Sequence, residues 1–247
     1  MRILVSLISL WQSLIWLLNP PRYIVPSPLD VLAAIQRQPD YFLRHAWVTL
    51  GEIAAGLLAG TIFGILTALS IAAVPRWGRF IWPVVLVLQA FPVFVIAPIL
   101  VLWFGFGATS KIVMTTLIIF FPVASAFADG LRRIPQEIVD AVAITEATHW
   151  QMLAHISIPL AIPSLVSGLR VAAPLAPLGA VIGEWVGASA GLGFIMVQAN
   201  ARMQTDTVFA AMAIIVLLTL ALRRAIDWIG PQLTPWSTTN EFSPSRP

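Results

Sequence analysis

The sequence predicts an all-α protein, a polytopic transmembrane helix bundle of about six spans with a polar helix pair between spans four and five. Three observations predict it. Hydrophobic residues make up 59% of the 247 positions and charged residues only 10%, a balance foreign to soluble domains. Mean hydropathy is +0.90, and the apolar blocks reach the roughly 20 residues that a helix needs to cross a bilayer. Between blocks four and five lies Ile134 to Pro163, the longest run without a membrane-length apolar core. The chain has no cysteine, which excludes disulfides, thiolate catalysis and zinc–thiolate sites. A net charge of +3 from scattered basic residues offers no surface for nucleic acid.

The chain divides into residues 1–39, a first transmembrane helix and a short external helix; 40–229, the main transmembrane domain; and 230–247, a polar tail. After Met1-Arg2, the run ILVSLISLWQSLIWLL leads into Asn19-Pro20-Pro21-Arg22 with no small-x-small cleavage site, so a retained helix is expected rather than a signal peptide. Trp11 and Trp16 fall toward its outer end, where aromatic rings favour the interface. Ser27 as cap, Pro28 at the first helical position and Asp30 in the first turn predict a surface helix to about Arg37.

The second span is expected over 46–74. Gly56, Gly60 and Gly64 repeat every four residues along it, a ridge that lets another helix approach closely in lipid. Contact within the subunit is the expectation, contact across a dimer the other reading. Glu52, near the start of this span, should face protein or water, because an unpaired carboxylate is costly in lipid. A short basic loop with Arg76 and Arg79 precedes span three, 80–104, which Pro83, Pro92 and Pro98 should kink. GFGATSK at 105–111 looks phosphate-binding, but Ser110 stands where a phosphate loop needs glycine before the lysine; a tight turn is expected. Span four, 112–128, leads through Arg132-Arg133 into the polar run. Span five, from Pro163 to Trp185, carries Arg170 and Glu184. An outer segment rich in small residues follows, then span six over 207–222, and a Pro/Ser/Thr-rich tail expected to be disordered.

Within the polar run, Pro135 suits a first helical position and Glu137 the positive end of the helix dipole. Val139, Ala143, Ala147 and Trp150 recur at steps of three or four, one face of a helix. Thr148 with Gln151 reads as a capping box, so a second short helix should start there and stop before Pro159. On pattern alone this is either a docking element or a solvated connector.

The run resembles the cytoplasmic coupling loop of ABC-importer permeases of the nitrate/taurine/sulfonate group. Asp140, Ala141 and Val142 match the acidic residue and two small or apolar residues that open that pattern, and Ile156-Ser157-Ile158-Pro159 match its closing Ile-x-Leu-Pro. Glu146 stands at the glycine position between them. A left-handed turn there costs a glutamate roughly 1–2 kcal/mol, so either the turn differs or the break moves to Ala147–Thr148. LQAFPVFVIAPILVLWFGFG is similar to the corresponding span of the same group.

The resemblance implies a subunit of the bacterial inner membrane, multi-pass, with both termini cytoplasmic and ATPase-coupling positions at Asp140, Ala141, Val142, Glu146, Ala147, Ile156, Ile158 and Pro159. It implies a homodimer in the lipid bilayer that works by alternating access with a cytoplasmic ABC ATPase dimer and an extracytoplasmic solute-binding protein. It implies no catalytic residue, cofactor or metal in this chain, ATP and magnesium being held by the ATPase. With the loop inside, Arg2, Arg76, Arg79, Arg132, Arg133, Arg223, Arg224 and Arg246 face the cytoplasm, against Arg22, Arg37, Arg44, Lys111 and Arg202 outside, the bias that the positive-inside rule requires.

Two other classes compete. An ion-coupled secondary transporter should carry midplane acids or an inverted repeat; Glu52 and Glu184 sit near span ends, and no repeat is seen. A membrane enzyme needs a constellation such as HExxH, which His45, His149 and His155 do not form. The outer segment GEWVGASAGLGFIMVQANARMQTD resembles permeases for hydroxymethylpyrimidine, a thiamin precursor, although its Gly-Leu-Gly portion is shared with sulfonate permeases. Residues 200–206 tilt the expectation to the pyrimidine, with sulfonate, taurine or nitrate as the alternative. Glu184 is a candidate translocation-pathway residue that would favour an amine-bearing ring, unless it pairs with an arginine.

Overall fold

A computed structural model describes residues 2–90 and 92–236, and among these the chain is helical with no strand. Met1, Phe91 and residues 237–247 lie outside the described residues, and with them Arg246 and most of the tail expected to be disordered. The helices are α1 (Arg2–Leu18), α2 (Pro28–Arg37), α3 (Pro39–Ala73), α4 (Pro75–Ala90), α5 (Val93–Phe104), α6 (Ala108–Arg132), α7 (Gln136–Ala143), α8 (His149–Met152), α9 (Ile158–Ala172), α10 (Ala176–Gly187), α11 (Leu192–Ala201) and α12 (Thr205–Leu233). A π turn, Leu153–Ser157, joins α8 to α9, and a 3₁₀ turn, Ala173–Leu175, joins α9 to α10.

Among the described residues, four helical runs are long and apolar enough to cross a membrane: Pro39–Ala73, Ala108–Arg132, His149–Gly187 and Thr205–Leu233. They contain the expected spans two, four, five and six. The first expected span is the 17-residue α1. The third is two helices rather than one kinked helix, because the chain breaks between α4 and α5 at Pro92, which has no N–H to donate. Pro83, Pro98 and Pro122, by contrast, are carried inside helices. The last helix also runs beyond the expected end at 222, through Arg223-Arg224 to Leu233. Residues 230–233 are therefore helix, not tail.

The chain forms two compact units. The first gathers Met1–Gly56, Val93–Thr115 and Ala176–Leu220. Its larger core sets Val31 and Ala34 of α2 and Phe42 of α3 against Leu192 and Ile195 of α11 and Ala210 and Ala211 of α12. Trp11 of α1 packs on Phe209, ring centroids 5.7 Å apart. A second cluster joins Ala97 and Leu100 of α5 to Met114 of α6, with Ile182 of α10 against it.

Helix α2 begins as its sequence predicts. Asp30 N donates to Ser27 Oγ at 3.1 Å, and the Asp30 carboxylate accepts from Ser27 N at 3.0 Å and Ser27 Oγ at 2.7 Å. The Ser27 hydroxyl is the chief reason that the Asp30 carboxyl is held below its ordinary value. A depressed carboxyl contributes stability that is complete above its unfolded value and is lost as pH falls through the folded one. Asp30→Asn is therefore expected to flatten the acid limb of the chain's melting-temperature profile and to leave its shape near neutral pH unchanged.

The second unit gathers Leu57–Pro92, Thr116–Leu175 and the chain from Ala221 onward. Ala68 of α3, Phe127, Ala128 and Leu131 of α6, Leu153 of the π turn and Ala161 of α9 form its core. Arg170 of α9 pairs with Asp227 of α12 at 3.0 Å, and Arg223 donates to the Arg170 carbonyl at 2.7 Å.

The α3 glycines face α6 in both units. In the first, a Cβ on Gly56 would run into the Thr115 side chain. In the second, a Cβ on Gly60 would lie 2.7 Å from Ile119 Cβ and 3.0 Å from the Thr116 carbonyl, and one on Gly64 would lie 2.9 Å from Val123 Cγ1. These neighbours are backbone or β-branched and cannot swing away. Gly60→Ala is therefore expected to cost about 1–3 kcal/mol, seen as a lower melting temperature of detergent-extracted protein. Gly51→Ala, where a Cβ meets nothing within 4 Å, should be neutral or slightly stabilising.

Candidate functional site

The polar run folds as two helical pieces around a left-handed turn, all within the second unit. Helix α7 starts after Pro135, with Ile138 N on the Pro135 carbonyl at 3.0 Å. Gln136 Nε2 donates to Asp140 Oδ1 at 2.9 Å along the exposed face. The helix closes where Thr145 returns its N–H and its hydroxyl to the Val142 carbonyl, at 3.0 and 2.7 Å. Glu146 follows with φ +55°. The left-handed residue thus stays at position 146 although it is a glutamate; the turn neither changes type nor moves to Ala147–Thr148.

Glycine would adopt this conformation without the Cβ clash that costs an L-residue roughly 1–2 kcal/mol. Glu146→Gly is expected to keep the turn and raise the melting temperature of the purified chain, by an amount reduced by glycine's greater freedom when unfolded. A fall would mean that the Glu146 side chain makes a contact worth more than the strain.

After the turn, Thr148 caps α8 with a full capping box: Gln151 N donates to Thr148 Oγ1 at 3.3 Å and Thr148 N to Gln151 Oε1 at 2.8 Å. His149 reaches back to the Ala72 carbonyl at 3.2 Å. A carbonyl only accepts, so Nε2 carries the hydrogen. This bond ties the start of α8 to the last turn of α3.

The second helix does not stop before Pro159. It continues through the π turn into α9, as Ile158 N bonds to the Leu153 carbonyl. Pro159 has no N–H and would crowd the carbonyl four residues back in a regular α-helix; one wide turn accommodates it. Leu153 and Ser157 turn into the core, while Ile156, Ile158 and Pro159 are half-buried. Asp140, Ala141, Glu146 and Ala147 are exposed and Val142 is half-buried. Ile144 and Trp150 are 85% and 62% exposed, large apolar side chains on an otherwise polar projection.

A second constellation lies in the first unit, around Glu184 of α10. Its carboxylate accepts from Thr49 Oγ1 at 2.6 Å and from the N–H of Gly193. Leu192 N donates to Thr49 Oγ1 at 2.8 Å, and Gly191 N to His45 Nδ1 at 2.9 Å. Three successive N–H groups at the start of α11 are thereby satisfied by side chains of α3 and α10, with the carboxylate at the positive end of the helix dipole. Gly191 has φ +112°, and a Cβ there would strike the Glu184 carboxyl. Glu184 is thus buried against the α11 turn, with no arginine among its hydrogen-bond partners.

Glu52 is buried beside Glu184 and Lys111. Lys111, expected on the outer surface, is 1% exposed. Its ammonium donates to the carbonyls of Phe106, Gly107 and Gly187, at 2.7, 3.1 and 2.5 Å. The first turn of α6 points this side chain inward because the α5–α6 turn and the end of α10 present unpaired carbonyls there. Pattern reading missed this cluster, yet a signal existed: His45, Thr49 and Glu52 fall at i, i+4 and i+7, one face of an apolar helix.

The family model described as "Binding-protein-dependent transport system inner membrane component" matches residues 60–235. A probable ABC transporter permease protein of Haemophilus influenzae is 45% identical over 90% of this chain and 91% of its own length. The formylaminopyrimidine transport permease protein ThiX of Halalkalibacterium halodurans is 34% identical over 93% of this chain and 92% of its own length. Among solved structures, an inward-facing MetNI methionine ABC transporter chain has a TM-score of 0.70 at 20% identity, covering 80% of this chain and 98% of that one; it shares the fold.

Proposed function

The chain belongs to the family of binding-protein-dependent transport system inner membrane components, and from that premise we propose that it carries a thiamin-precursor pyrimidine, hydroxymethylpyrimidine or a close relative, into the cell. It is a membrane permease subunit of ABC-importer type, a transport subunit; the comparisons lend no support to an ion-coupled transporter. In the proposed assembly two copies of the chain span the membrane, a solute-binding protein delivers the ligand from outside, and two ATPase subunits hold ATP and magnesium on the cytoplasmic side. The proposed assembly assigns no cofactor to this chain.

The observation that carries the coupling part of this reading is the projection around Glu146. A capped helix pair with a fixed left-handed turn presents Asp140, Ala141, Ile144 and Trp150 to the outside, a compact face for a groove on the ATPase. Ile156, Ile158 and Pro159 form its root, where the π turn passes force into α9. Closure of the ATPase dimer on ATP then favours one of the two orientations of the bundle, which is the differential bias that alternating access requires. Both termini lie in the cytoplasm on this reading. The burial of Lys111 removes one cation from the outer set and strengthens the charge asymmetry that supports it.

The pyrimidine assignment is supported by the outer segment at 183–206 and by the name of the ThiX relative. The test is reconstitution of the chain with its ATPase and binding protein in vesicles. ATP-dependent uptake of labelled hydroxymethylpyrimidine is expected, with little competition from taurine, nitrate or an aliphatic sulfonate. Uptake of taurine in preference would move the substrate to the sulfonate class, and uptake by this chain alone on an ion gradient would overturn the mechanism.

A further inference from the structure

In the second unit a cleft of about 470 Å³ opens where several helices end. Ile71 and Ala72 close α3, Trp82 stands in α4, Leu131 and Arg132 close α6, and His149 opens α8. The volume lies in the range of small-molecule sites, and the walls have the usual composition of such sites, apolar with a few convergent polar groups. The Arg132 guanidinium sits over the Trp82 ring, 5.1 Å from its centroid. No carboxylate pairs with it among the described residues, whereas Arg37, Arg170 and Arg223 all have acidic partners. The cleft thus holds an arginine without a counter-ion, fixed by an aromatic face.

We propose that this cleft binds an anionic phospholipid, with the headgroup phosphate on Arg132 and the upper acyl chain along Ile71, Leu131 and Leu153. Charge complementarity selects an anion, and the planar guanidinium suits phosphate oxygens two at a time. Position and wall chemistry select a lipid over a free anion. Three of the four membrane-length runs begin or end here, at Ala73, Arg132 and His149, the depth at which tryptophan and arginine meet headgroups and at which basic pockets between spans take anionic lipids. A free phosphate would leave the apolar walls in contact with water.

The consequence reaches the coupling projection. His149 lines the cleft and also holds α8 to the Ala72 carbonyl, so an occupant steadies the base of the helix pair that carries Glu146. Anionic lipid then becomes a setting for how stiffly the projection is held. This goes beyond the transport reading and needs only that the chain sits in a bilayer.

The test uses the intact chain in nanodiscs of phosphatidylcholine with phosphatidylglycerol. Native mass spectrometry is expected to find phosphatidylglycerol retained in preference to phosphatidylcholine. Losing the charge-assisted bond in Arg132→Gln should weaken retention by about tenfold, while Arg133→Gln, outside the cleft lining, should not. Crosslinking of the unmodified chain with a phosphatidylglycerol carrying a diazirine near its headgroup serves if Arg132→Gln fails to fold; the label should map to Trp82, Met152 or Leu153. Equal retention of both lipids, equal retention by Arg132→Gln, or labels spread over the spans would overturn the proposal. Displacement of the crosslink by inorganic phosphate alone would make it a phosphate site and overturn the lipid assignment.

Discussion

Asp140→Arg and Ala141→Trp are expected to abolish most ATP-driven uptake while leaving the chain inserted and folded. Both side chains are exposed on α7, so neither change disturbs a core, and exposed substitutions of this kind usually alter stability by no more than about 0.5 kcal/mol. The effect must come from the face that they present. Asp140 is oriented by Gln136 at 2.9 Å, and charge reversal sets an unmatched cation against whatever receives it. A tryptophan at 141 adds a bulky ring to the exposed face, where a closely fitting partner would have to move aside. An interface hot spot carries about 2 kcal/mol or more, which corresponds to a loss of roughly thirtyfold in effective engagement. The measurement pairs uptake in reconstituted vesicles with the melting temperature of the purified chain. Unchanged uptake by both variants would return the helix pair to the status of a solvated connector.

How much of this was legible beforehand follows from which forces act locally. The cap of α2, the capping box of Thr148 and the spacing of the α3 glycines are set by neighbours within four residues or by one helix face, and the sequence exposes them directly. The π turn was not legible. Pro159 announces that a regular helix cannot continue unchanged, but ending the helix and widening it by one residue are both answers to a missing N–H. The tertiary seat of Leu153 and Ser157 decides between them. Position 146 shows the same limit. Propensity argues against a left-handed glutamate by roughly 1–2 kcal/mol, yet hydrogen bonds from Thr145 on one side and Thr148 on the other hold the residue there. The burial of Lys111 is not legible locally, because a lysine after a Gly-rich turn ordinarily reads as loop and its three carbonyl partners come from segments as far away as Gly187.

Gly191→Ala is expected to cut the yield of folded chain steeply. The residue sits at φ +112° and ψ 166°, a region essentially reserved for glycine, where any side chain costs about 1–3 kcal/mol. The new methyl would also displace the Glu184 carboxylate from Thr49 and Gly193, bonds to a charged group worth about 1.5–3 kcal/mol apiece. Against a total stability of about 5–15 kcal/mol for a typical domain, the combined penalty leaves little. Membrane-inserted, monodisperse protein should therefore fall steeply. Glu184→Gln separates the roles still open for this carboxylate. The amide keeps the shape but offers one acceptor where two donors converge, so a cap for α11 predicts a lowered melting temperature with uptake falling in step. A variant that melts like the unmodified chain yet fails to transport would instead make Glu184 a group that the solute meets on its way through.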